Sequence, residues 1–230
     1  MVKNNLQKRA RITQSYTLVT IPVPSAPAGV TLPSTMRFGI DNRFSTAQRY
    51  RIQIMISGVL AFWNTHYTQR SSGARSSFQI CANKYARFNL SPVWFTGRIA
   101  NGAGAANVMM GGLTQQIVAN GFNRAPRALI RYQVPSSTIP NFTVKAVNGT
   151  RPDTVSLSVT INPRVLNRTD LPNQTLFGSL FHAWLHRQGY RHPTGVYTSY
   201  MAGEAAMCVM RNNANKSPNV PDSIYTTFLD

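Results

Sequence analysis

Acidic residues are scarce in this sequence. Its 230 residues hold 6 Asp and Glu against 24 Lys and Arg, a formal net charge of +18, and Glu204 is the one glutamate. There are two cysteines, Cys81 and Cys208. Two are too few for a disulfide framework or a zinc ribbon, which leaves one bridge or two buried thiols and sets no redox compartment. No apolar run reaches the ~18 residues of a membrane span. The polar start carries Lys3, Lys8, Arg9 and Arg11, and no apolar signal core follows it. Either a leader was removed or export does not use one. No repeat of the solenoid kind is present. An apolar fraction of 43% suffices for a real core. Charge of one sign attracts nucleic acid, anionic membrane or an acidic partner, so composition alone suggests a nucleic-acid binder.

Two parts are expected: a basic, Pro-rich extended segment over residues 1–34 and a folded domain over 35–230. Pro22, Pro24, Pro27 and Pro33 keep the first part out of helix. Met36, Phe38 and Ile40 alternate with polar or small residues, a strand pattern. Ser45 is an N-cap for a helix to about Trp63, with Ile52, Met55, Ile56, Val59 and Trp63 on one face. Short strands are expected at Phe78–Cys81, Val93–Phe95, Asn107–Met110 and Leu129–Val134, with loops at Gly102–Ala106 and Gly111–Gly112. Thr154–Ile161 is the clearest strand, with Val155, Leu157, Val159 and Ile161 alternating with Ser and Thr. Helices are expected from about Thr175 to Gln188 and from Gly203 to Arg211. The order predicts a mixed α/β fold, a small sheet packed on long helices.

Three of the four histidines fall within HAWLHRQGYRH, from His182 to His192. His182 and His186 are four apart on a helix, so their rings project from one face. Both can reach a single tetrahedral ion. Gly189 can take positive φ, end the helix and turn the chain, which brings His192 back under the other two. Three His ligands leave a fourth position for water, the layout of a catalytic zinc site. Chance placement of the same residues gives this pattern with a probability on the order of 1 in 10⁴.

The stretch resembles the H-E-x-x-H-x-x-G-x-x-H signature of the metzincin zinc metallopeptidases. His182, His186 and His192 match the ligands and Gly189 matches the glycine. Met201 matches the methionine that this family places beneath the metal, with Met207 and Met210 as fallbacks. Gly203 stands where some members have a metal-reaching tyrosine. The resemblance implies a small twisted, mostly parallel sheet with an antiparallel edge strand bordering the cleft, bound Zn²⁺, and a protein or peptide substrate.

The family's glutamate after the first histidine is Ala183 here. That glutamate takes a proton from the attacking water and passes it to the leaving amine, which alanine cannot do. The resemblance therefore implies a zinc endopeptidase in an inactive Glu-to-Ala form. The intact ligands favour a deliberate replacement over a natural pseudoprotease that keeps metal and substrate binding. Ala183→Glu is expected to restore hydrolysis, and Glu204 is expected as a solvated acid at a helix N-terminus. The strand with Val155, Leu157, Val159 and Ile161 is the expected edge for pairing with an extended substrate. His66 is expected as a helix-terminus cation. The motif makes a nucleic-acid partner the weaker reading. The charge then suits acidic substrates, a translocation apparatus or a host surface, and a secreted or translocated bacterial effector or toxin.

Overall fold

A computed structural model describes residues 15–25, 27–85, 91–121, 128–136, 144–153, 156–192, 201–213 and 221–230. The segment rich in Pro and Thr does form extended structure, and it joins the sheet. Strand β1 (Tyr16–Pro22) pairs antiparallel with β2 (Thr35–Asp41), from Tyr16↔Asp41 to Pro22↔Thr35. The alternation read in β2 is real: Met36, Phe38 and Ile40 are fully buried.

Helix α1 (Thr46–Ser71) starts where the sequence indicates. Ser45 accepts from Gln48 N, and the Gln48 side chain returns the bond to the Ser45 N–H. The helix runs a further two turns past Trp63, because no Gly or Pro interrupts it before Gly73, which takes φ +80°. His66 is consequently inside the helix. It is 2% exposed with Nδ1 2.7 Å from Ser76 Oγ, and burial together with Arg70 pushes its pKa down to about 4. It is a neutral core residue rather than the cation expected.

Two expected strands are helices. Phe78–Cys81 lies in α2 (Ser77–Asn83), which Ser76 and Gln79 cap reciprocally. Asn107–Met110 lies in α3 (Gly102–Gly121), as do both glycine runs expected as loops. The α3 glycines serve close packing. A Cβ on Gly102 would stand 2.2 Å from the Ala82 carbonyl oxygen of α2, and one on Gly112 would stand 2.4 Å from Gln188 Oε1. Val93–Phe95 forms a turn.

The rest of the sheet comprises β3 (Ala128–Tyr132), β4 (Val144–Lys145) and β5 (Val159–Ile161). The order is β1-β2-β3-β5-β4: three parallel strands, β2, β3 and β5, with an antiparallel strand at either side. The mixed α/β class is as expected, but β5 is not an edge. It lies between β3 and β4, with Val159 and Ile161 buried, as Leu157 is just before it. Val155 lies outside the described residues. The edge belongs to β4.

After β5 come α4 (Pro163–Leu166), α5 (Asn173–Arg187), α6 (Met201–Met210) and α7 (Ser223–Thr226). Helix α5 is buried on nearly every side, and α1 and α6 pack along it. The Trp184 ring stacks on Phe38 of β2 at 6.3 Å, so the sheet seats α5. Gly178 lets α6 approach, since a Cβ there would lie 2.9 Å from the Ala206 carbonyl oxygen. A Cys81–Cys208 disulfide joins α2 to α6. None of the described helices is long and apolar enough to cross a membrane.

Candidate metal centre

Helix α5 puts His182 and His186 one turn apart, 0% and 4% exposed. Gly189 then takes φ +102°, a conformation that other residues rarely adopt. Two bonds tighten the turn: Gly189 N donates to His186 O at 3.1 Å and Tyr190 N to Leu185 O at 3.1 Å. A Cβ on Gly189 would also stand 3.0 Å from the Trp94 ring. The turn brings His192 back as the spacing implied. Its Nε2 lies 3.0 Å from His182 Nε2 and 3.1 Å from His186 Nε2, and those two are 3.0 Å apart.

A fourth group, invisible in the motif, completes the cluster. Asp230 Oδ1 lies 3.1 Å from both His182 Nε2 and His186 Nε2. All four ligand atoms lie within 4.8 Å of one another. Ligands ~2.0 Å from a zinc ion at the centre of a regular tetrahedron would be about 3.3 Å apart, close to the separations among the histidines and of Asp230 from His182 and His186.

Hydrogen bonds account for only part of this convergence, because five contacts meet at these four atoms and His186 brings no proton to them. His186 Nδ1 faces the Tyr190 carbonyl oxygen at 2.9 Å and so carries a proton, which leaves a lone pair on Nε2 in the neutral ring. Fixing the tautomer through the far nitrogen is the usual support of a metal-bound histidine. Asp230 Oδ1 is buried against the His182 and His186 nitrogens. Burial alone would raise the Asp230 carboxyl, but His182 and His186 outweigh it and hold the group well below the usual carboxylate range. Burial, with a smaller contribution from His182 and His186, pushes His192 down to about 3. Three imidazole nitrogens converging beside a carboxylate suit a divalent cation, and this donor set suits zinc.

Ala183 is fully buried within the main apolar core. The carboxylate beside the first histidine is Asp230, which comes from a distant segment and sits among the ligand atoms. Glu204, in the first turn of α6, is 4% exposed, a buried group rather than the solvated acid expected. Met201 opens α6, but its side chain lies outside the described residues. Its expected place beneath the metal is therefore a matter of sequence alone.

The sheet edge borders the centre. Beyond β4, Ala146 N approaches Asp230 Oδ2 at 3.4 Å and Gly149 N donates to His186 O at 2.8 Å. A cavity of about 470 Å³, lined by Pro27, Val30, Tyr67, Thr114 and Val118 among others, contains none of the four ligands.

Sequence reasoning missed Asp230 because helix spacing cannot reveal a ligand brought from a distant segment. One signal was present: with only 6 acids in the chain, an aspartate directly after Phe228–Leu229 is an unusual charge in an apolar setting. Comparison with protein-family models, curated proteins and solved structures gives no match for this chain.

Proposed function

We propose that this chain is a zinc-binding protein built on a metzincin-like peptidase site in which hydrolysis is silenced. The observation that carries the reading is the convergence of His182, His186, His192 and Asp230, with the three Nε2 atoms 3.0–3.1 Å apart and Asp230 Oδ1 3.1 Å from two of them. The Gly189 turn and the antiparallel edge strand beside the centre support the same lineage.

When bound, zinc supplies Lewis-acid polarisation, the chemistry used in this family on a peptide carbonyl. The chain's own residues do the rest. His182 and His186 present their Nε2 atoms from α5, the Tyr190 carbonyl holds the Nδ1 proton of His186, and Gly189 returns His192 to the cluster. Ala183 can neither accept nor return a proton. Asp230, beside two of the three histidines, would compete for the fourth position, which a hydrolytic site keeps for water. Two separate features thus oppose turnover. That favours a natural binding form over a single replacement in an otherwise working enzyme.

The partner class is a protein or peptide. A disulfide between Cys81 and Cys208 supports an oxidising destination, and with the +18 charge it supports a secreted or translocated effector that meets an acidic partner. Metal analysis tests the centre: about one zinc per chain in the wild type and none in His186→Ala. Less than half an equivalent in purified protein, unaffected by that change, sinks the reading. The peptidase lineage has its own test. Ala183→Glu alone is expected to stay silent, because Asp230 still competes for the fourth position. Ala183→Glu with Asp230→Ala is expected to cleave a broad peptide library. A folded, zinc-loaded double variant that cleaves nothing removes the peptidase lineage and leaves the metal site.

A further inference from the structure

The closing segment, residues 221–230, is attached to the body at a few points. Within it, α7 is a single turn with no buried residue, and Ile224 is 51% exposed. The inserted part is Phe228–Leu229–Asp230. Phe228 and Leu229 are 8% and 2% exposed in a small cluster with Val165, Ala206 and Met210, apart from the main core. Ser179 Oγ donates to the Phe228 carbonyl oxygen at 2.6 Å. Ser179 and His182 are three apart on α5, so one helix face holds both Phe228 and Asp230.

The last attachment differs from the others in kind. The apolar insertion and the Ser179 bond form whether or not an ion is present. Asp230 Oδ1, by contrast, meets two imidazole nitrogens, and the His186 tautomer turns a lone pair toward it. Without a cation, a proton on His182 Nε2 can meet the carboxylate, but the lone pair on His186 Nε2 disfavours the carboxylate. With a divalent ion, it becomes the fourth ligand. Seating of Asp230 and ion binding therefore favour each other, and by linkage each raises the other by the same factor.

We propose that residues 221–230 form a metal-dependent clasp: ion binding at His182, His186 and His192 and seating of Phe228–Asp230 are one linked event. The ion's task is to hold this segment against α5, with all four positions taken by protein. The inference rests on the reading that the three histidines hold zinc. It goes beyond that reading by making the site closed and structural, and by coupling it to the order of a named segment.

The test uses the full chain, with hydrogen exchange followed across residues 221–230, zinc-loaded and after chelation. In the wild type, chelation is expected to speed exchange in this segment at least tenfold while α1 and β2 change little. Asp230→Ala is expected to exchange fast with or without zinc and to bind zinc 10-fold to 1,000-fold more weakly. A second measurement does not depend on that variant's stability. Wild-type protein loaded with cobalt(II) is expected to give a four-coordinate visible spectrum that azide does not alter. Equal exchange with and without zinc, in protein shown to bind one equivalent, overturns the clasp and spares the zinc reading. Azide altering the wild-type spectrum overturns it in the same way. Failure of the wild type to bind zinc overturns both.

Discussion

Two buried histidine environments can be compared directly. His66 sits between α1 and α2 against one hydroxyl, Ser76 Oγ, which also caps α2. His182, His186 and His192 face one another and a carboxylate. Burial keeps both His66 and His192 neutral near pH 7. Burial and a lowered pKa therefore do not tell a functional histidine from a structural one. What separates them is where the lone pairs go. Ser76 gives His66 a local partner, whereas three nitrogens about 3 Å apart, two of them also about 3 Å from a carboxylate oxygen, share a centre that suits a cation.

The sharpest way to break this contrast is substitution at each site. His186→Ala is expected to weaken zinc binding by 1,000-fold or more and to abolish the rise in Tm that zinc produces. His66→Phe is expected to leave zinc affinity unchanged by calorimetric titration. Equal losses in the two variants would erase the distinction.

Acid titration gives the next effect. The unfolded chain protonates His66 near 6.5, whereas the folded chain does so only near 4. The unfolded state thus holds the extra proton between these values, and stability falls as pH drops from about 6.5 to 4. The contribution is on the order of 3 kcal/mol, and the loss flattens below pH 4. Urea unfolding in chelator at pH 7 and 4.5 checks this, with the loss smaller in His66→Phe by about that amount.

Gly189→Ala probes the turn that makes the metal centre possible. Forcing a side chain into φ +102° against Trp94 is expected to cost about 1–3 kcal/mol and to weaken zinc binding through misplacement of His192. An unchanged Tm and affinity would mean that the turn is not required. The smallest effect is expected at Tyr190. Its buried hydroxyl has no hydrogen-bond partner, and only its backbone carbonyl meets His186. Tyr190→Phe is expected to leave zinc affinity unchanged and to stabilise by up to about 1 kcal/mol.

What could be read from the sequence follows the range of the interactions involved. The capping pair Ser45–Gln48, the alternation in β2 and the i, i+4 histidines are local patterns, and each appears in the structure. Helix α3 was hidden because its glycines are used for contact with Ala82 and Gln188, neighbours that only the tertiary fold supplies. Helix α2 is short and apolar enough to resemble a strand, although Ser76 followed by Gln79 three residues later was a usable capping signal. The edge position was misassigned because β4 spans two residues, too few to show alternation. Three members of the candidate metal centre were legible because one helix and one turn carry them. Asp230 was not, because a separate segment delivers it.

The bond between Cys81 and Cys208 spans 127 positions of sequence. On unfolding it confines the chain to a large covalent ring, worth about 4–5 kcal/mol in chain entropy. It also sets what a protease could accomplish. A cut anywhere between those two positions leaves the pieces covalently joined, so a nicked molecule would keep its mass and separate only on reduction. A cut beyond Cys208 would instead release the fragment bearing Asp230, so the two halves of the metal centre differ in their exposure to proteolytic loss.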